Sequence, residues 1–209
     1  MRDVSKALGV TINDLFLALA SMALRRYLIE IDDLPEGPIV VNSARSYRRP
    51  EHGDFDNRLV ALHPHLATDI ADPIERLAAI QAAMADERGR TAYDEALLDA
   101  PEKPFGARDR RAKFAARTVG GAAVLPGNVT LSNVPDPGGE RSFAGFRQLA
   151  NYPTPLLASG RFLNITSRRN GDRLDLGVMA DLTKIVDLEG LVGFLPEALA
   201  QYEAPGGRV

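Results

Sequence analysis

Apolar residues fill most positions from Leu15 to Leu28, and Thr11 and Asp14 stand ahead of them at the spacing of a capping box. The pattern predicts a helix over residues 11–30, and a helix apolar on most faces is expected to be buried. Pro35, Gly37 and Pro38 mark the turn that follows. Ile39-Val40-Val41 then opens a short strand running toward Ser43 and Arg45. Residues 46–56 are charged and turn-like. Residues 59–66 alternate as a second strand, which Pro64 places at a sheet edge or a strand end. Asp72-Pro73 starts another long helix, with aspartate as cap and proline in the first turn. Ile74, Leu77, Ile80, Gln81 and Met84 lie at helical spacing and predict a core-facing stripe.

From about residue 86 to 127 the periodicity weakens. Lys103, Arg108, Arg110, Arg111, Lys113 and Arg117 form a basic stretch there, broken by prolines and glycines. It reads as a loop or a short amphipathic helix. The last third turns β-rich, with strand-like runs at 129–134, 143–149, 162–167 and 174–179 separated by Gly and Pro clusters. Asn170-Gly171 is the strongest hairpin signal in the chain. Residues 187–203 close it with an amphipathic helix carrying Leu188, Leu191, Val192, Leu195 and Leu199, with Pro196 a candidate kink. Residues 204–209 read as a frayed tail. Helix, two strands, helix, several strands and a final helix imply a layered α+β or α/β domain.

The 209 residues suit one ordinary domain, and 45% hydrophobic with 25% charged residues is the composition of a soluble globular chain. A net charge of −3 disfavours a general nucleic-acid binder, which shows a strongly basic face. The absence of cysteine excludes disulfides, thiolate zinc sites and cysteine nucleophiles. The apolar run 15–24 is too short for a bilayer, which takes about 20 residues. It also resembles a crude signal peptide, but Asn13 and Asp14 interrupt its apolar region and Arg25-Arg26 continue the helical pattern. A cytoplasmic location is the expectation.

Chemistry has few candidates. The three histidines are His52, His63 and His65. His63-Pro64-His65 on a strand would put both imidazoles on one face, yet no third ligand stands at a recognisable spacing, so no metal is expected. His52 sits in a charged loop and is expected to face solvent. No nucleophile elbow, phosphate-binding loop or dinucleotide fingerprint occurs, and no complete catalytic constellation is visible. Asn13-Asp14 is the first informative pair. Capping explains Asp14 well, while an asparagine inside a first turn has little local benefit. Ser132-Asn133 ends a strand ahead of alternating prolines and could present side-chain donors there, or simply terminate the strand. Asn164 heads a polar face of the hairpin, and Gly177 within it marks a close approach by ligand or backbone, or a bulge.

Taken in order, Gly9-Val10-Thr11-Ile12-Asn13-Asp14, Ser43-Ala44-Arg45, Asn57-Arg58, the stretch 68–77, Leu131-Ser132-Asn133-Val134-Pro135 and Leu163-Asn164-Ile165 resemble the C-terminal half of the bacterial wax ester synthase/diacylglycerol acyltransferase family. The resemblance runs over nearly the whole chain. Each motif is weak alone, and the ordered series is specific. It implies a single lobe of the CoA-dependent acyltransferase fold, the chloramphenicol acetyltransferase-like arrangement of a mixed sheet flanked by helices, over residues 1–203.

In that family an acyl group passes from acyl-CoA, a co-substrate rather than a resident cofactor, to a fatty alcohol or a diacylglycerol. The catalytic HHxxxDG motif lies in the N-terminal lobe, where its second histidine resembles a general base for the acceptor hydroxyl. Asn13 and Asp14 inherit a role in supporting the active site, while Ser132, Asn133 and Asn164 are candidates to face substrate on their own chemistry. This chain has no HHxxxDG. Asp136 stands where the family commonly has glycine, Arg168-Arg169 replace smaller or aromatic residues, and residues 86–127 match poorly. The expected partner is therefore an HHxxxDG lobe, in the same polypeptide or another, with peripheral contact to membrane or lipid inclusions left open. The basic stretch 103–117 reads as a solvated connector or a dock for anionic lipid or CoA phosphates. A non-catalytic lipid- or protein-binding scaffold retaining the fold is the competing reading; independent catalysis by His63 or His65 is disfavoured.

Overall fold

The computed structural model describes residues 1–52, 58–99, 117–119, 122–124, 127, 129–135, 138, 141–157, 160–171 and 173–203, with side chains left aside at 92–99, 117–119 and 122–124. The basic stretch up to Lys113, Asn57, Asp136 and the 204–209 tail lie outside these residues.

A short helix α1 (Arg2–Ala7) precedes the long apolar helix α2 (Ile12–Glu30). The capping box forms as the spacing demands: Asp14 N–H donates to Thr11 Oγ1 at 3.0 Å, and Thr11 N–H donates to Asp14 Oδ2 at 3.3 Å. Strands β1 (Val41–Ser46) and β2 (Leu59–Leu62) follow, then α3 (Pro73–Asp99). The small pair β3 (Arg117–Val119) and β4 (Ala122–Val124) leads to β5 (Val129–Val134). A tight hairpin of β6 (Ser142–Phe143) and β7 (Phe146–Arg147) precedes β8 (Leu163–Asn170), β9 (Arg173–Ala180) and α4 (Leu188–Glu203).

Five strands form one mixed sheet in the order β2-β1-β5-β8-β9. The three central strands run parallel and the two edges antiparallel to them. Val41, Leu62, Val129, Leu131, Leu163 and Ile165 point to one face, where α2 packs with α3 and α4 into a single core. Helix α2 is buried along Leu15–Leu24, as its all-round apolar pattern requires. A polar tie fixes it: buried Ser21 donates to the Leu66 carbonyl at 2.6 Å. Arg76, only 3% exposed, donates to the carbonyls of Ile70 and Ala71. Tyr202 from α4 donates to the Pro73 carbonyl at 3.0 Å.

Several expectations change. Helix α3 does not fade at residue 86 but continues to Asp99, because Ala85, Glu87, Arg88 and Arg90 are strong helix formers that propagate without an apolar stripe. Ile74 is 39% exposed rather than buried in the core, and it lies in the first turn, where Asp72 Oδ1 accepts from its N–H. The run 143–149 is not one strand: Ala144 and Gly145 both take positive φ (50° and 83°) and reverse the chain. Strand β2 stops at Leu62, and His65 pairs with Val40 only as an isolated bridge. His52 is half-buried, its Nδ1 accepting from the Arg49 N–H at 2.9 Å.

Residues 151–157 run as an extended strap across the sheet face away from the helices. Asn151, Pro153, Pro155 and Leu157 are half-buried, and Tyr152, Thr154 and Leu156 between them point outward. Asp175 Oδ2 accepts from the Asn151 N–H at 2.7 Å, and Asn164 Nδ2 donates to the Leu156 carbonyl at 3.0 Å. The close approach at Gly177 is therefore made by backbone: a Cβ there would run into the Pro153 carbonyl.

Candidate functional site at the carboxyl ends of the parallel strands

The orientation of α2 decides where Asn13 and Asp14 sit. Ser21 and Arg25 bond to the carbonyls of Leu66 and Thr68, and Leu66 and Thr68 in turn bond the backbone of Ile39, at the amino end of β1. Helix α2 therefore runs antiparallel to β1, β5 and β8. At 1.5 Å per residue, the seven positions back from Ser21 carry Asp14 about 10 Å toward the strands' carboxyl ends. That end of an open α/β sheet is where ligands generally bind.

Asp14 is 2% exposed. Its Oδ2 is used by the cap, while its Oδ1 is buried with no hydrogen-bond partner among the described residues. A buried carboxylate oxygen without a donor is costly, so capping alone does not account for this side chain. Asn13 beside it is half-buried. Toward the same end, β5 and β8 pair Asn133 with Ser167. The fully buried Ser167 donates to Asn133 Oδ1 at 3.0 Å and lies 3.4 Å from the Ser132 carbonyl. Asn133 thus faces the helix side, and Ser132 the opposite side with Thr166 and Gly177.

Asn164 is placed elsewhere. Its Nδ2 holds the strap and its Oδ1 accepts from Thr166 Oγ1 at 3.0 Å, so both ends of its amide are engaged internally. Ser167 is the participant that the sequence left unmarked; its only signal is a small polar residue at the end of the strand-like run 162–167.

His63 and His65 lie at the other end of the sheet. Both are half-buried and alternate with buried Leu62, Pro64 and Leu66. Glu87 Oε2 accepts from the His63 backbone N–H at 2.6 Å. Burial lowers the His63 imidazole below 6.5; Glu87 opposes this, and Arg90 and Arg161 reinforce it. Burial would raise the Glu87 carboxyl, but hydrogen bonds from Arg90 and the His63 backbone outweigh it and leave it lowered. Nearby, Arg161 donates to the Gly127 carbonyl and to Thr130 Oγ1, both at 3.3 Å. Among the described residues no group of three His, Asp or Glu side chains could hold a metal ion, and no helix is long and apolar enough to cross a membrane.

Comparison with known proteins bears on this layout. A family model described as the WS/DGAT C-terminal domain matches residues 55–203. A Mycobacterium tuberculosis protein bearing the name diacylglycerol O-acyltransferase is 32% identical over 99% of this chain and 46% of its own length. O-acyltransferase WSD of Acinetobacter baylyi is 29% identical over 97% of this chain and 43% of its own. The solved wax ester synthase/diacylglycerol acyltransferase of Marinobacter aquaeolei VT8 superposes with a TM-score of 0.75 at 26% identity, covering all of this chain and 47% of that one. A nonribosomal peptide synthetase structure shares the fold alone, at 16% identity and a TM-score of 0.60. The mixed sheet with its helix layer is thus a chloramphenicol acetyltransferase-like lobe, and the chain spans about half the length of the curated relatives it matches. With its ordered motifs, its fold and the family model in agreement, this chain belongs to the WS/DGAT C-terminal domain family.

Proposed function

We propose that residues 1–203 are the C-terminal lobe of a long-chain acyl-CoA-dependent O-acyltransferase that makes triacylglycerol or wax esters from diacylglycerol or fatty alcohol. The lobe turns over only with an HHxxxDG lobe. One observation carries this reading: the chain matches relatives named as acyltransferases along its whole length but only 46% of theirs. The general base belongs to the other lobe, where it takes the acceptor hydroxyl proton as the oxygen attacks the thioester carbonyl; the C–S bond then breaks and the proton passes to the departing coenzyme A thiolate. This lobe's contribution is positioning. Asn13 and Asp14 brace the reaction centre from the α2 amino terminus, and Asp14 Oδ1 receives a donor that the described residues of its own lobe do not supply. Asn133, held by Ser167, and Ser132 line the adjoining strand end. The substrate-facing role expected of Asn164 has less support, because its amide is committed to the strap. The proposed location is cytoplasmic, with peripheral contact to membrane or lipid inclusions.

The test is acyl transfer from a long-chain acyl-CoA to diacylglycerol or hexadecanol, with the chain alone and with an HHxxxDG lobe supplied. The expected result is no turnover alone, turnover when combined, and a loss of about tenfold or more on Asn13→Ala or Asp14→Asn, the usual scale for a removed positioning contact. Turnover by the isolated chain would overturn the two-lobe reading. No turnover in either condition favours the scaffold reading, and a combined activity indifferent to Asn13→Ala removes that residue's assigned role.

A further inference from the structure

The described surface displays five large apolar side chains along one short run of sequence. Phe143 is 87% exposed, Phe146 80%, and Leu156 87%; Leu149 and Tyr152 lie between them and are also exposed. Together they present on the order of 600 Å² of largely apolar surface, at the upper end of what a soluble monomer leaves in water.

The display is built in rather than incidental. Phe143 and Phe146 face each other as a cross-strand pair on a two-residue turn. Hydrogen bonding of Asn170 Nδ2 to the Leu149 carbonyl anchors the hairpin's exit beside the β8–β9 turn. Buried Asp175 and Asn164 then pin the strap's inner side, which forces Tyr152 and Leu156 outward. Polar groups sunk into the sheet thus hold an apolar ridge open to the outside. The β8–β9 turn is at the carboxyl end of β8, so the hairpin rises at the same end of the sheet as Asn13 and Asp14. A partner completing the site there would meet the ridge as well.

We propose that the Ser142–Arg147 hairpin and the outward side of the strap are the seat of the HHxxxDG-bearing half of the enzyme. The inference rests on the two-lobe reading and names the surface through which the lobes join. The occupant follows from length: the relatives carry more than half their chain beyond the part matched here. The ridge approaches the roughly 800 Å² per partner that a stable interface buries.

The experiment places the photo-cross-linker p-benzoylphenylalanine at Phe143 or Phe146, expressed from the native locus so that the natural assembly is kept. Leu182 and Val186 are the control positions. They are exposed apolar residues close to Asp181, whose N–H bonds the Phe162 carbonyl at the opposite end of β8. After irradiation, mass spectrometry identifies the attached molecule. The expected adduct is a peptide from an HHxxxDG half, in the same or another polypeptide, at about ten times the control yield, as befits a packed interface over an open surface. A lipid adduct, a second copy of this lobe, an unrelated protein or no adduct overturns the proposal. Acyl transfer by the same assembly is assayed separately. An adduct without activity sinks the acyltransferase reading and leaves the interface, whereas activity without the adduct sinks only the interface.

Discussion

Replacing Gly177 by alanine separates a glycine kept for space from one merely tolerated. In an open strand the change gains about 0.5–1 kcal/mol, because alanine loses less chain entropy on folding. At position 177 the new Cβ would run into the Pro153 carbonyl oxygen and stand 2.7 Å from its carbon. Carbon pairs settle at about 3.5–4.0 Å, so the strap has to lift by about 1 Å. Two hydrogen bonds bracket Pro153: Asn151 N–H to Asp175 Oδ2 at 2.7 Å and Asn164 Nδ2 to the Leu156 carbonyl at 3.0 Å. A lift of that size breaks both. The first ends on a buried carboxylate and counts for about 1.5–3 kcal/mol, the second for about 1 kcal/mol. Net of the alanine gain, Gly177→Ala is expected to destabilise by about 2–3 kcal/mol, to be measured by urea denaturation. Hydrogen exchange at the Asn151 amide should accelerate in parallel. Gly193→Ala is the control, since its Cβ meets nothing within 4 Å inside α4 and should stabilise by up to about 1 kcal/mol. Equal or greater stability for Gly177→Ala, with Asn151 protection unchanged, would refute the reasoning.

The remaining predictions concern caps and titration. Thr11→Ala removes the acceptor for the Asp14 N–H and should cost about 1 kcal/mol in urea unfolding. His63 sits below 6.5 in the folded chain, so the unfolded chain takes up the proton first: its contribution is complete above pH 6.5 and is lost as pH falls below that value. Glu87, lowered from 4.5, adds a second loss as pH falls through its folded value, and Glu87→Gln should abolish that lower limb of the unfolding profile. Burial raises Tyr202 to about 12 from 10.0, so the unfolded chain deprotonates first and stability should fall between those values. In Tyr202→Phe that alkaline limb should vanish, at a cost near neutrality of about 1 kcal/mol for the lost bond to Pro73.

The sequence by itself determined the local elements. Thr11 and Asp14 fixed the start of α2, Asp72-Pro73 the start of α3, and Asn170-Gly171 the β8–β9 turn, because each acts through neighbours a few residues away. The ordered motifs also carried the family. Where the signal was propensity without an apolar stripe, as in the second half of α3, periodicity failed. Where the reversal falls on Ala144-Gly145 rather than on Asn-Gly, the sequence carries no hairpin signal and the run resembles one strand. The candidate site was half legible. Asn13-Asp14 and Ser132-Asn133 stood out as pairs, but only the antiparallel packing of α2 on β1 and β5 brings them to one end of the sheet. Asn164 looked equivalent to Asn133 along the chain, yet β-pleating sends their side chains to opposite faces, one to the strap and one to Ser167. Gly177 kept its two sequence readings until Pro153 crossed it. Most such facts depend on contacts between residues 24 to 45 positions apart, as in Asn151–Asp175 and Ser21–Leu66, and no local pattern encodes what chain closure alone brings together.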